Sequence, residues 1–323
     1  MPSLSAATAQ PALERVTDVD AVLPAWSQLA RRSGNLFATP EWLLRWWRHF
    51  GQGEMQLWLA ADGGTPRALL PLYLDGAELR FLGHGQGDEL GPVAAPADRR
   101  WAARALGRLL ARPEIAWRSF EGRDLPGEVP WTELTGAEVT ERTSSPVLRL
   151  EGLDWERFLA SRSRNFRAQA RARERRLAAR GGRVRLADDP ARLDGDLDVL
   201  FSLHQARWGR HARELVERSG AFHRDFAAAA LKRGWLRLRL LELQGRPAAA
   251  LLSYRFGDEE WFYQGGRDPA FDREAPGLTL HLYAIRSALH DGLRAYRFLR
   301  GDEPYKRRFA DHDAPVVTVH RQR

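Results

Sequence analysis

Cysteine is absent from the 323 residues, and lysine and methionine occur only twice each. Without a thiol, disulfides, thiolate zinc sites and cysteine nucleophiles are excluded. No apolar run approaches the roughly 20 residues needed to span a bilayer. Residues 1–26 lack a basic stretch followed by an apolar core, so no signal peptide is read there. The expectation is a cytoplasmic protein with no stable membrane insertion. Its length and its 44% hydrophobic content suffice for two domains with real cores.

The scarcity of lysine is informative. Of 50 basic residues only Lys232 and Lys306 are lysine, a bias that arginine-rich codon usage largely explains. An ammonium can lose its proton when desolvated, whereas a guanidinium effectively cannot. Lys306 stands out because it lies beside the polar cluster at the end of the last strand, read at 295–300. The basicity is also local. Residues 161–185 hold ten arginines and one glutamate, +9 of the net +8, which leaves the remainder at −1.

The first half reads as a helix from Val19 to Arg32 stopped at Ser33-Gly34. A second helix opens with Thr39 as N-cap and Pro40 at its first position. The aromatic face of that second helix (Trp42, Trp46, Trp47, Phe50) reads as core. Strands follow at about 55–61, 67–74 and 77–83, joined by Asp62-Gly63-Gly64 and Asp75-Gly76 turns. Gly83–Gly87 lacks phosphate-loop spacing and reads as a plain loop. A helix at about 97–111 and a strand near 115–120 come next, then an irregular connection over 121–146.

The second half begins near Pro146. A helix from Trp155 to Arg180, broken near Ser161-Arg162-Ser163, ends at Gly181-Gly182. After a short strand at 184–186 come helices at 196–211 and 222–233. Three antiparallel strands follow, at 235–243, 247–256 and 260–265. Both halves therefore run from helices to antiparallel strands to a helix and a strand, which suggests a duplicated α+β unit. The last sixty residues are the most informative. The strand Trp261–Gly266 leads through a polar loop to Pro276-Gly277. Leu278, Leu282, Ile285 and Leu289 then make one apolar helical stripe, ended by Asp291-Gly292. A helix that begins just past a strand leaves first-turn N–H groups free for an anion, which points to a transferase.

Four segments carry a family resemblance: Phe37–Trp42, Ser163–Arg167, Leu203–Trp208, and Gly265–Pro269 with Pro276-Gly277 and Gly301–Lys306. In this order over about residues 20–312, the chain resembles the CelD/BcsL type of acetyltransferase-like protein. That type lies within the GNAT superfamily, near the FemABX peptidyltransferases. The resemblance implies an α+β fold of tandem GNAT-like (acyl-CoA N-acyltransferase) domains, with mixed, mostly antiparallel sheets flanked by helices. A degenerate N-terminal domain would occupy 1–145, and a C-terminal domain carrying the site would occupy 146–323. It implies transfer from acetyl-CoA or another acyl-CoA to an amine or hydroxyl of a small molecule or saccharide, in bacterial polysaccharide or cell-envelope metabolism, with no metal.

Such chemistry asks for a pyrophosphate cradle at a helix N-terminus, a polarised thioester carbonyl and a route for the acceptor's proton. Pro276, Gly277, Leu278 and Thr279 are the candidate cradle, with Arg273 adding charge. The run has one glycine where the usual pattern has two, and Glu274 is close by. Tyr263 is placed to protonate a leaving thiolate, with Gln264 beside it. Asp302 or Glu303 is the candidate base. Lys306 would stabilise an oxyanion or bind an acidic substrate, and Tyr305-Lys306 matches an aromatic–lysine pair that contributes to the site in FemABX relatives. His204, Arg207 and Trp208 share one helical face and are candidate acceptor or cofactor contacts. Arg164 and Arg167 head the arginine helix, where phosphates of a tRNA or an anionic glycan would bind. Two alternatives stay open: a FemABX-like aminoacyl-tRNA-dependent transferase, and a non-catalytic binder of anionic polymer or nucleic acid through residues 161–185.

Overall fold

The computed structural model describes residues 11–212 and 214–323. The chain forms two compact units. One runs to Ser144 and takes back Ala314–Arg323; the other is Ser145–Asp313.

The first unit starts with strand β1 (Ala12–Arg15) and helix α1 (Val19–Ser33). Asp18 Oδ1 accepts the N–H groups of Asp20 and Ala21, and Gly34 at φ +68° closes the helix. Helix α2 (Pro40–Phe50) has Thr39 Oγ1 accepting Trp42 N–H at 3.2 Å. Its Trp42 and Trp46 are buried, as core. Strands β2 (Glu54–Asp62), β3 (Thr65–Asp75) and β4 (Glu78–Phe81) form an antiparallel meander, with the short β5 (Val93–Ala94) on β3. Helix α3 (Arg99–Leu110) crosses to β6 (Ser119–Pro126), which runs parallel to β4.

The stretch 121–146 is not an irregular connection. It holds the rest of β6, a short helix α4 (Trp131–Thr135) and strand β7 (Glu138–Thr143). Nearly every side chain of β7 is exposed, so it carries no hydrophobic period. Only backbone pairing defines it. Its partner is β15 (Val316–Gln322), which lies between β6 and β7. The last strand therefore belongs to the first unit's sheet, and a single cut after residue 145 assigns it to the wrong side.

In the second unit β8 (Pro146–Arg149) precedes α5 (Trp155–Ala160) and α6 (Arg164–Ala179). The break between the two helices falls at Ser161–Ser163, where Ser163 Oγ caps α6 by accepting Phe166 N–H at 3.2 Å. Strand β9 (Arg183–Leu186), α7 (Leu193–Trp208) and α8 (Gly220–Lys232) follow. The meander β10 (Leu236–Leu243), β11 (Arg246–Phe256) and β12 (Glu259–Arg267) comes next. Then α9 (Pro276–His290) crosses to β13 (Ala295–Arg297), which is parallel to β12. A one-turn helix α10 (Pro304–Arg307) and β14 (His312–Asp313) complete the unit.

The sheet order is β14-β8-β13-β12-β11-β10-β9. Each unit thus runs an antiparallel meander, a crossover helix and a parallel strand, so the duplication is topological. Helices α5, α6 and α9 share one apolar core with this sheet, and α7 and α8 lie on its other face, where His223 and Phe226 meet Tyr263 and Tyr254. The expected apolar stripe of α9 is wider than four residues: Leu280, His281 and Ala284 are buried too, while Leu278 is half-buried. Among the described residues no helix is long and apolar enough to cross a membrane.

One charge network is sealed in the sheet. Glu260 is 0% exposed and accepts two bonds from Arg239, at 2.5 and 3.2 Å. Ser253 Oγ and Arg255 Nε donate to it at 2.7 and 2.9 Å. Burial alone would raise the carboxyl's pKa; Arg239, then Arg255 and Ser253, hold it below the ordinary value. Arg255 continues to Ser287 and Asp291 at the end of α9, so the network ties the helix's C-terminal end to the sheet. Glu260→Leu strands Arg239 in the interior. We expect denaturant unfolding of that variant to show a loss of about 3–5 kcal/mol; a loss below about 1 kcal/mol would show that the pair is dispensable.

Candidate active site

Strands β12 and β13 pair for three residues only, Glu259–Trp261 against Ala295–Arg297. Beyond Trp261, β12 keeps β11 as its partner as far as Arg267, so its other edge is open. The β11–β12 register also shifts: Leu252 faces Gln264 and Ser253 faces Phe262, which leaves Tyr263 as the extra residue of a bulge. Beside this open edge lies a cleft of about 280 Å³. Phe262, Gly265 and Gly266 of β12 line it, as do Gly277, Leu278 and His281 of α9 and Tyr305 of α10.

The cleft is rich in cation. Arg207, Arg267 and Arg308 line it, and Asp272, paired with Arg267, is the one carboxylate among the lining residues. Burial, and secondarily the charge of Arg267, lower the pKa of Arg207. Arg308 is held by Gln169 of α6 at 2.7 Å. The N-terminus of α9 joins them without a side-chain cap: Ala275, its N-cap, sits at φ +49°, and Pro276 opens the helix. The first N–H groups of α9 therefore face the cleft with no intrahelical acceptor. A Cβ on Gly277 would meet only Arg267 Cδ, at 3.8 Å, and the φ of Gly277 is not left-handed. Neither packing nor backbone requires glycine there; what it leaves is an unobstructed helix end.

The segment Gly301–Lys306 folds into a compact turn. Lys306 is 3% exposed, and its Nζ donates to Arg300 O at 2.6 Å and Leu299 O at 3.3 Å and pairs with Glu303 at 2.9 Å. Leu299 is a non-glycine residue at φ +60°, a conformation that needs such support. Gly301, at φ +112°, would set a Cβ 2.4 Å from Glu303 Oε2. The turn puts Tyr305 at the cleft. Burial, then Glu303, push its phenol pKa up, so it keeps its proton. Asp302 is exposed and bound to Arg307, which lowers its pKa.

Of the residues chosen from sequence, Arg207, Gly277, Leu278 and Tyr305 come together in the cleft. Pro276 is buried at the helix start, and the Thr279 hydroxyl returns to Ala275 O at 3.2 Å. Arg273 is exposed and outside the lining. Tyr263 faces α8, 5.2 Å from the ring of His223, and neither it nor Gln264 lines the cleft. His204 is buried with Nδ1 3.2 Å from Gly265 O; burial is the main cause of its lowered pKa. Trp208 is 41% exposed with Arg207 stacked on it at 4.5 Å. Arg164 is exposed, and Arg167 bonds Arg162 O at 2.5 Å across the α5–α6 break. Glu174 pairs with Arg286 of α9 rather than within its own helix.

Sequence reasoning missed Arg267, Asp272, Arg308 and His281. Arg267 lies within the Gly265–Pro269 segment that carries part of the resemblance but was not singled out there, and Asp272 and Arg308 carry no local signal in so arginine-rich a chain. His281 did carry one: a histidine in the apolar run Leu278–Tyr283. Among the described residues no cluster of His, Asp or Glu could hold a metal ion.

Two predictions follow from the packing. A Cβ on Gly266 would lie 2.3 Å from His204 N, so α7 lies directly on β12 there. Gly266→Ala should displace α7 and lower the thermal midpoint by several degrees (about 2–4 °C per kcal/mol lost at this size); an unchanged midpoint would contradict the close approach. The second concerns acid. Burial lowers His223 and His281 from 6.5 to about 3, so the folded chain holds them neutral while the unfolded chain protonates them. Their contribution is complete above pH 6.5 and is lost as pH falls toward 3. Neither ring nitrogen of His223 has a partner among the described residues. His223→Phe should flatten the fall of thermal midpoint between pH 6.5 and 4, and an identical slope would refute this.

Residues 164–307 match the family model described as an acetyltransferase (GNAT) domain. The comparison with curated proteins finds no match. Among solved structures, that of FemX has a TM-score of 0.67 at 10% identity, over 96% of this chain and 97% of that one. The C-terminal domain (DUF2156) of a protein assigned as a lysylphosphatidylglycerol synthetase from Agrobacterium fabrum has 0.63 at 11%, over 93% and 91%. A tandem GNAT protein from the clavulanic acid biosynthesis pathway has 0.54 at 12%, over 97% and 98%. The chain therefore has the fold of tandem GNAT proteins, and its residues 164–307 match the model of a GNAT-type acetyltransferase domain.

Proposed function

We propose that the protein transfers an acyl group from acyl-CoA, with acetyl-CoA the simplest donor, to an amine or hydroxyl acceptor in polysaccharide or cell-envelope metabolism. One observation carries the reading: three guanidinium groups and an uncapped helix N-terminus converge on a cleft beside an open strand edge. A pyrophosphate answers both the crowded cations and the free N–H groups. An extended chain with amide groups can pair with the exposed edge of β12. These residues fit an acyl-CoA, whose thioester supplies the activated acyl group.

In this reading Arg267, Arg308 and the first N–H groups at Gly277-Leu278 hold the phosphates, and Arg207 adds charge. The acceptor's nitrogen or oxygen bonds to the thioester carbon, the carbon–sulfur bond breaks, the acceptor loses a proton and the sulfur gains one. The Tyr305 phenol, kept protonated by burial, donates toward the sulfur. Lys306 acts by holding the 299–306 turn that presents Tyr305. His204, Trp208, Tyr263 and Gln264, grouped on and around β12 outside the cleft, are left for the acceptor side.

A second reading is favoured by one observation. Arg164, Arg171, Arg175 and Arg176 are exposed on α6, and α6 reaches the cleft through the Gln169–Arg308 bond. Such a row suits a polyphosphate backbone, as in a FemABX-like aminoacyl-tRNA-dependent transferase, and would give steeply salt-dependent binding.

Calorimetric titration of acetyl-CoA at low and physiological salt separates the two. Arg267→Ala and Arg308→Ala should each weaken binding roughly tenfold or more, as expected for the loss of a charge-assisted contact. Arg273→Ala should leave it unchanged. No binding to the unaltered protein would end the acyl-CoA reading and favour the tRNA one. Dependence on Arg273 instead of Arg267 would move the phosphates elsewhere.

A further inference from the structure

We infer that His281 is a neutral hydrogen-bond donor fixed in one tautomer by Tyr296, with its Nε2–H presented to the acyl carbonyl oxygen of the donor bound in the cleft. The inference rests on the acyl-transfer reading for its ligand, but its tautomer rests on geometry alone.

His281 lies on the second turn of α9 and lines the cleft. Aromatic rings enclose it: Phe262 at 4.6 Å, Tyr305 at 5.4 Å, Phe298 at 5.6 Å and Phe309 at 5.8 Å between centroids. Its Nδ1 is 3.2 Å from the hydroxyl of Tyr296. Tyr296 is 0% exposed, and this is the one hydrogen bond of its hydroxyl among the described residues. A buried hydroxyl that finds no acceptor costs about 1–3 kcal/mol. The phenol must therefore donate, and Nδ1 must be the acceptor. Burial, reinforced by Glu260, raises the phenol's pKa well above its usual value, so it keeps the proton it donates. With Nδ1 accepting, the ring's own proton sits on Nε2.

Nε2 has no protein partner among the described residues, and it is not among the sealed, unsatisfied polar atoms. It opens onto the cleft. The surroundings also keep the ring uncharged: burial first, then Arg207, Lys306 and Arg239, hold its pKa at about 3. A neutral imidazole in an aromatic box, with a fixed outward N–H, neither takes a proton nor pairs with a carboxylate. It is suited to donate to an oxygen on which negative charge grows. Three guanidinium groups line the cleft, and Arg207 is close enough to act on both His281 and Tyr305; His281 is the one neutral side-chain N–H group among the lining residues. Tyr296 acts through His281 and is a positioning residue.

The test is long-range ¹H–¹⁵N correlation of the histidine rings in the full-length protein between pH 5 and 8. Assignment of His281 comes from the spectra of His281→Phe and Tyr296→Phe. We expect a protonated Nε2, an unprotonated Nδ1 and no titration; Tyr296→Phe should shift Nδ1 and loosen the tautomer. A protonated Nδ1, or titration near the ordinary histidine value, overturns the proposal without any reference to turnover. Acetyl-CoA should then shift the Nε2–H resonance and CoA should not. Equal shifts with both overturn the assignment to the acyl carbonyl. Should calorimetry show no acetyl-CoA binding, the acyl-donor reading falls together with the carbonyl assignment, whatever the tautomer. For turnover, His281→Phe should lower kcat about a hundredfold with little change in the dissociation constant. Tyr296→Phe should lower it less and broaden the pH profile; a change in KM alone for both variants would mean that the pair only shapes the cleft.

Discussion

After Arg297 β13 no longer pairs with β12, while Phe298 N–H donates to Pro146 O of β8 at 2.9 Å and keeps the chain on β8. The chain then enters the left-handed residue Leu299, where Lys306 holds the carbonyls of Leu299 and Arg300. The two parallel strands part where these bonds begin. The open edge of β12, the room for the first turn of α9 and the position of Tyr305 all follow from the parting. In this respect the lysine of the Gly301–Lys306 segment does more for the cleft as a clamp on backbone carbonyls than as a free charge. A guanidinium would not fit the same compact pair of acceptors, which gives a physical reason for a lysine in a chain otherwise built with arginine.

The second unit handles its buried polar groups in two ways. Near the C-terminal end of α9 the buried carboxylate is answered: Glu260 meets Arg239, Arg255 and Ser253, and Arg255 reaches on to α9. Near the N-terminal end, polar groups converge without a matching set of acids, and the helix end lacks a cap. The same helix is thus anchored at one end by satisfied charge and left wanting an anion at the other.

Much of the fold was legible because its determinants are local. Asp18, Thr39-Pro40 and Gly34 bound the first helices, and the glycines at 63, 64, 76, 245 and 257 take the positive φ values of tight turns. The meander of β10, β11 and β12 followed from those turns. What escaped was set by distant partners. β7 has no apolar alternation and exists through β15, whose sequence is far away. The helix expected at 196–211 begins and ends three residues earlier, since Gly209 breaks it at φ +54°. The helix end and Tyr305 were readable in the cleft because a strand–loop–helix order is local. Arg267 and Arg308 were not, since one precedes the 269–274 turn and the other follows α10, and only the fold brings them together. Arg273 was the nearest arginine in sequence and points elsewhere.

The return of β15 to the first sheet has a consequence for how the protein is made. β7 has β15 as its sheet neighbour, and β6 meets β15 on its far side. On the ribosome, the first unit must therefore wait, with the edge of β6 unpaired and β7 unmoored, until all of Ser145–Asp313 has been translated. The second unit has every strand of its own sheet by Asp313 and can close first. The unit whose first strands are made earliest is completed after the other, and β15 is its closing stitch.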